Sequence, residues 1–379
     1  MILKKLRWFM LATVALGLLL AVTPPALATV VVNPDNTVTF TLEAPNISTK
    51  VELTYSSEAT ITVPMTNVGN VWSVTIGPLK PNWYRYWFNV DGMRMHDPLN
   101  ADHYYSIYGR LWSYFLVPGP EADFLATKAV PHGMVSTVWY FSSVTNSWRS
   151  MAVYTPPGYH HDNRKYPVLY LHHGAGNTGF EWVWNNRGDF ILDNLFAAGK
   201  AVPMIVVMPT HHGLPTNSDP ALDIYPVQEL LGNIVPVIEK QFRVLPGSKN
   251  RAFAGLSMGG GRTLQGLLQV PGSFDYFCPL SMGWSPATIA TLEQNHRDLL
   301  LDLAANRNIK LLWISMGRDD PLLARIPGTL ALLDKYDVDY TYVEVPGAHQ
   351  PHVWRDQLYQ FAPLLFRGHG HTPPPGHHR

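Results

Sequence analysis

The chain has 379 residues, of which 46% are hydrophobic and 15% charged. That composition supplies apolar material for a large core, or for two smaller ones, and excludes bulk disorder. Its 28 basic and 28 acidic residues cancel, so a general attraction for nucleic acid or anionic lipid is not expected.

The first residues read as a targeting segment. Lys4, Lys5 and Arg7 form a basic start, residues 8–22 are uncharged and apolar, and Thr23-Pro24-Pro25 precedes the small-residue site Ala26-Leu27-Ala28. Cleavage after Ala28 is expected, leaving residues 1–28 as a signal peptide and the mature protein secreted or periplasmic. A permanent membrane anchor is the rival reading, but the apolar stretch is short for a bilayer span of about 20 residues. Cys278 is the only cysteine, so no intrachain disulfide forms.

Residues 29–120 alternate in short strand-like pieces. Val38-Thr39-Phe40-Thr41-Leu42, Val51-Glu52-Leu53-Thr54-Tyr55, Val71-Trp72-Ser73-Val74-Thr75-Ile76 and Tyr84-Arg85-Tyr86-Trp87-Phe88 are separated by polar turns, and no helical pattern intervenes. This predicts a small immunoglobulin-like β-sandwich. Trp83, Tyr84, Tyr86 and Trp87 have the ring faces to stack on sugars, but alternation assigns half of them to the core, which favours a structural module. Residues 119–150 read as a transition punctuated by proline and glycine.

From residue 133 the period changes. Apolar runs of strand length at 168–171, 204–208, 251–254, 311–315 and 340–345 alternate with helical stretches at 190–198, 227–242, 263–269, 289–305, 326–336 and 353–366. The alternation predicts an α/β domain over 133–367, a mostly parallel sheet covered on both faces, with ligands beyond the carboxyl ends of its strands. Residues 368–379, rich in proline and histidine, read as a disordered tail.

Chemistry enters at Gly255-Leu256-Ser257-Met258-Gly259, which follows the apolar run at 251–254 and opens a helical stretch with Gly260-Gly261. A G-x-S-x-G between strand and helix is a nucleophile elbow: it lifts the Ser257 hydroxyl above the sheet edge, and the helix amides behind it face an oxyanion. A serine hydroxyl needs a base and an orienting acid, which in the α/β-hydrolase fold follow the nucleophile in the order acid, then base. Strand 311–315 runs into Asp319 and Asp320, and strand 340–345 runs into His349 and His352. Adjacent aspartates diverge, so only one faces the base. His349 lies nearer its strand end and follows small residues, which favours it over His352. The oxyanion donors are expected to be the N–H of Met258 and that of Ala175, in the glycine-containing loop after strand 168–171.

These pieces resemble carbohydrate esterase family one, which includes feruloyl and acetylxylan esterases and is related to esterase D, enterochelin esterases and mycolyltransferases. The matching segments are Val153-Tyr154-Thr155-Pro156-Pro157-Gly158-Tyr159, 166–171 running into His173-Gly174, 203–209, Phe242-Arg243-Val244, 254–261, and Gly347-Ala348-His349 with Val353-Trp354. The resemblance selects Asp320 over Asp319 and matches His349 to the base. It implies a serine carboxylic-ester hydrolase with the α/β-hydrolase fold, acting on ester-substituted plant polysaccharide. The sandwich is similar to early-set modules that precede such esterases and amylolytic enzymes. His172 departs from the aliphatic residue usual in relatives, and His211-His212 from a shorter polar turn.

His172, Phe180, Trp182, His212 and Trp354 are candidate substrate contacts. The histidine pairs also raise a metal reading, but neighbouring side chains in extended backbone point apart and no H-E-x-x-H occurs. Neither metal nor cofactor is expected, and no nucleic-acid or membrane partner after signal cleavage. The competing functions are a siderophore esterase or sugar-ester acyltransferase and, outside enzymes, a carbohydrate-binding scaffold with a dead hydrolase. An intact Ser257, Asp320 and His349 argue against the last.

Overall fold

A computed structural model describes residues 29–43, 49–56, 59–105, 109–216, 219, 221–306, 308–367 and 377–378. The signal peptide expected over 1–28 and most of the tail expected to be disordered lie outside the described residues. Among those described, no helix is long and apolar enough to cross a membrane.

The front of the chain forms two antiparallel sheets. Strands β1 (Val30–Val32), β2 (Val38–Glu43), β5 (Thr66–Val68) and β6 (Val71–Ile76) make one sheet in the order β1-β2-β6-β5. The other runs β4 (Thr60–Pro64), β3 (Val51–Ser56), β7 (Asn82–Val90), β10 (Leu111–Val117) and β9 (His103–Tyr105), with β8 (Met93–Met95) paired to β7. Alternation explains the packing: Val38, Phe40, Leu42, Leu53, Tyr86, Phe88 and Val117 point between the sheets and form one buried cluster. Tyr84 and Tyr86 belong to that core, and Trp87 carries the Arg94 guanidinium 3.7 Å above its ring. Trp83 points the other way, into the core of the following sheet.

The rest is built on a nine-stranded sheet. Its strands are β11 (Met134–Ser142), β12 (Ser147–Thr155), β13 (Val168–His172), β14 (Ile205–Pro209), β15 (Arg251–Leu256), β16 (Tyr276–Leu280), β17 (Leu311–Gly317), β18 (Thr341–Val345) and β19 (His377–His378). The order is β11-β12-β14-β13-β15-β16-β17-β18-β19, parallel from β14 through β18 and antiparallel at both ends. The region read as a transition therefore contains an edge hairpin, β11–β12, whose Trp139, Phe141 and Trp148 face outward. β16 escaped the sequence reading because Pro279 interrupts it; here Pro279 sits opposite Gly255 inside a parallel pair.

Successive residues of the central strands feed opposite cores. Leu169, Leu171, Ala252, Ala254 and Trp313 pack on one face with helices α1 (Gly188–Ala197) and α8 (Pro351–Phe361). Val168, Tyr170, Phe253, Phe277 and Ile314 pack on the other, against a second set of helices. These are α2 (Tyr225–Glu229), α3 (Val235–Gln241), α4 (Met258–Gln269), α5 (Pro286–Asn295), α6 (Arg297–Ala305) and α7 (Ile326–Lys335). One helix expected over 289–305 is thus two, broken at His296, whose φ of −133° leaves the helical region.

The sandwich is not a free appendage. Trp83, Tyr104 and Tyr114 belong to the same buried cluster as α1 and α8. The buried Arg355 of α8 donates to Asn82 Oδ1 (3.2 Å), the Trp83 carbonyl (3.0 Å) and the Asn185 carbonyl (3.0 Å). Burial lowers its pKa to about 9.

Candidate active site

Ser257 sits between β15 and α4 with φ 52° and ψ −115°. A non-glycine residue in such a region is strained, and its neighbours hold it there. The Ser257 N–H donates to the Leu280 carbonyl on β16 (2.9 Å), while its carbonyl accepts from the Gly261 N–H (3.0 Å). The flanking glycines are steric necessities: a Cβ on Gly255 would stand 2.6 Å from the Gly259 carbonyl carbon, and one on Gly259 would stand 2.6 Å from the His172 carbonyl oxygen.

His349, in the loop between β18 and α8, accepts from or donates to two partners in line. Its Nε2 lies 2.8 Å from Ser257 Oγ and its Nδ1 lies 2.8 Å from Asp320 Oδ2. Asp320 is buried, and its other oxygen accepts from the Leu322 N–H (2.9 Å). The loops that carry Asp320 and His349 are stitched together, since the N–H groups of Arg318 and Asp319 donate to the carbonyls of Val345 and Gly347 (2.9 Å each). Asp319 itself is exposed, and His352 lies at the first turn of α8, lining a small cleft with Trp83, Arg85 and Arg355.

Met258 opens α4, so its N–H has no partner within the helix and lies beside the serine. Ala175 is exposed in the loop after β13. A Cβ on the preceding Gly174 would stand 3.6 Å from Ser257 Cβ, which sets that loop against Ser257. The loop is anchored from beneath by Glu181, a residue absent from the sequence reading. Glu181 Oε2 accepts from the Gly174 N–H (2.8 Å), and Oε1 accepts from Asn177 Nδ2 (2.6 Å). Burial pushes its carboxyl up to about 7. A lone acid within Phe180-Glu181-Trp182-Val183-Trp184 was the available signal, because an unpaired buried carboxyl is too costly to be incidental.

The expected substrate contacts divide. His172 and Trp182 have no exposed surface, so those two expectations are corrected. Trp182 donates its Nε1–H to the His172 carbonyl (3.0 Å), and His172 lies between the rings of His211 (4.3 Å) and Phe253 (4.6 Å). Burial holds the pKa values of His172 and His211 well below the ordinary 6.5 and that of His173 at about 4. His173 has a defined tautomer: Nδ1–H donates to the Gly174 carbonyl (2.7 Å), so Nε2 accepts from the His211 N–H (3.0 Å). Trp354 is also buried, its ring edge-on to His349. His212 is half-buried against His173, and Phe180 lines a cavity beside the sandwich. Among the described residues no group of three or more His, Cys, Asp or Glu is arranged to hold a metal ion.

A parallel sheet with a strained serine between strand and helix, hydrogen-bonded to histidine and then to aspartate, defines the α/β-hydrolase fold with a serine-hydrolase arrangement at its strand ends. The chain belongs to the family described as putative esterase, whose profile matches residues 142–365. It is 33% identical over 264 residues, 66% of this chain, to an endo-1,4-beta-xylanase/feruloyl esterase of Xylanibacter ruminicola. It spans only 36% of that relative's length. Among solved structures, a ferulic acid esterase shares 26% identity at a TM-score of 0.53, covering 62% of this chain and 98% of the other. The enterobactin esterase of Shigella flexneri, 17% identical with a TM-score of 0.58, covers 87% of this chain and 93% of its own, a likeness of fold that extends into the sandwich.

Proposed function

We propose that the protein is an exported serine esterase that removes feruloyl or acetyl groups from plant cell-wall polysaccharide. The observation that carries the reading is the hydrogen-bonded line from Ser257 Oγ through His349 to Asp320, at 2.8 Å on each side of the imidazole. The bifunctional name of the Xylanibacter relative, xylanase and feruloyl esterase, supports the substrate class. The basic and apolar start of the chain supports export.

In this mechanism Ser257 Oγ attacks the ester carbonyl carbon while its proton passes to His349 Nε2. Asp320 holds Nδ1–H, keeping the imidazole oriented and stabilising its positive charge. The N–H groups of Met258 and Ala175 receive the oxyanion of the tetrahedral intermediate. Collapse breaks the bond to the sugar oxygen, which leaves with the proton from His349. Water then attacks the acyl-serine with His349 as base, releasing the carboxylic acid and regenerating Ser257.

The test is a panel of methyl ferulate, 4-nitrophenyl acetate, a long-chain ester and a cyclic catecholate ester, offered to the purified folded protein. Turnover of the ferulate or acetate with an acyl adduct on Ser257 is expected. Turnover of the catecholate alone moves the assignment to siderophore chemistry, and activity on none removes the esterase reading.

A further inference from the structure

Two depressions lie where the sandwich meets the sheet domain, and neither is lined by Ser257, Met258, Ala175 or His349. One is a cavity of about 380 Å³ whose walls include Trp83, Asp102, Phe180, Trp184 and Asp189. The other, of about 460 Å³, lies between Tyr104 and Tyr105 on β9 and Thr178, Phe180 and Trp184 on the far side. They share His103, Phe180 and Trp184, so they form one cleft, and each is of ligand-binding size.

Two features of the cleft point to its occupant. Trp184 and Tyr105 are 45% and 59% exposed and line the cleft, where they offer flat apolar faces to a ring. Asp102 and Asp189 line the first cavity and put carboxylates on its wall. Carboxylates at the wall are acceptors that suit a ligand bringing O–H groups. Arg187 is no substitute cation: its guanidinium lies over the rings of Trp83 (4.2 Å) and Phe190 (4.1 Å) and donates to the Leu125 carbonyl and Thr127 Oγ1. Asp102, Asp189 and Arg187 share its walls, so two carboxylates stand against one guanidinium that is already engaged by ring faces and carbonyl. A neutral, hydroxyl-rich ligand with an apolar face fits: a sugar ring.

We propose that this cleft is a saccharide subsite, holding the polysaccharide on the alcohol side of the ester while the acyl group reacts at Ser257. The inference rests on the esterase reading and deepens it. The cleft adjoins the reacting centre through the loop that carries Ala175, since Thr178 and Phe180 belong to the same turn and Glu181 anchors its start. Binding of such a remote portion raises the rate of the chemical step when it helps place the ester carbonyl, so both kcat and KM depend on it.

The test uses the full chain. In the Ser257→Ala variant, calorimetric titration with unesterified xylo- and arabinoxylo-oligosaccharides is expected to show binding, weakened at least tenfold when Trp184→Ala or Asp189→Asn is added. Trp184→Phe, which keeps a ring face, is expected to recover most of it. On a feruloylated arabinoxylo-oligosaccharide, Trp184→Ala is expected to lower kcat/KM at least tenfold more than on methyl ferulate, which has no saccharide. Absence of binding to Ser257→Ala, or equal losses on both substrates, overturns the proposal, provided that the variants melt like the parent. If no ester is hydrolysed but the oligosaccharides bind through Trp184, the esterase reading fails and the subsite stands.

Discussion

The indole of Trp354 stands edge-on to the imidazole of His349, with ring centroids 5.3 Å apart and planes at 87°. Its Nε1–H donates to Ser281 Oγ (3.1 Å), on the residue after β16, so the base is braced against the strand next to the nucleophile's own. Trp354→Leu removes both the edge contact and the bond. We expect kcat to fall about tenfold to a hundredfold with KM nearly unchanged, because a loosened base misplaces the proton transfer rather than the substrate. Steady-state kinetics on methyl ferulate checks this, and a matching rise in KM would contradict it.

The two adjacent aspartates are separable. Asp320 is buried and bonded to His349, whereas Asp319 is exposed and engages the base loop only through its N–H. Asp320→Asn is expected to reduce turnover by a factor on the order of 10⁴, since the amide no longer stabilises the imidazolium. Asp319→Asn is expected to cost less than about threefold, in keeping with an exposed substitution that breaks no side-chain contact. Equal losses from the two would reject the assignment of the acid.

Glu181 gives a third prediction. With its oxygens on the Gly174 N–H and Asn177 Nδ2, it sets the course of the backbone that presents Ala175. Glu181→Ala leaves a buried donor unmade and frees the loop, so kcat should drop by about 10², near the cost of one oxyanion donor. Glu181→Gln keeps one acceptor and should recover part of the loss. The rate of Ser257 phosphonylation by a fluorophosphonate should follow the same order, because its adduct uses the same donors.

The motif, the order of acid and base, and the alternation of strand and helix were legible because each is a local pattern. Ser257, Asp320 and His349 lie at chain positions where an elbow and two strand ends are visible residue by residue. What was not legible depended on burial across the fold. His172 ends a strand that enters the site, yet its side chain turns beneath the elbow. Trp182 reads like Trp184, but a π-helical turn over Glu181–Asn185 sends the first inward and leaves the second exposed. Arg355 looks like an ordinary helix-surface arginine until the sandwich covers it.

His172 supplies a prediction in pH. It is buried, its two ring nitrogens lack hydrogen-bond partners among the described residues, and burial keeps it neutral well below 6.5. Below pH 6.5 the unfolded chain takes up a proton that the native state refuses, so its penalty is absent above that pH and grows as pH falls. Glu181, Asp189 and Asp356, raised to about 7, 6 and 6 by burial, work oppositely: their protonated native forms add stability at low pH that is lost as pH rises through those values. The parent's overall curve therefore mixes both signs, and the difference between His172→Leu and parent isolates one. That difference should favour the variant increasingly below pH 6.5, by about 1.4 kcal/mol per pH unit. Thermal unfolding at pH 8 and pH 5 measures it, and a gap that stays constant or narrows toward acid would contradict it.

Arg355, late in the polypeptide, binds acceptors at positions 82 and 83 near its front, and this limits how the front piece can be exchanged. A foreign module grafted ahead of this hydrolase, without an amide at position 82 and a carbonyl presented like that of Trp83, would strand a guanidinium in a dry seam. Chimeras made by simple cut-and-paste at the proline-rich junction should therefore express poorly, and productive shuffling has to carry the seam along with the module.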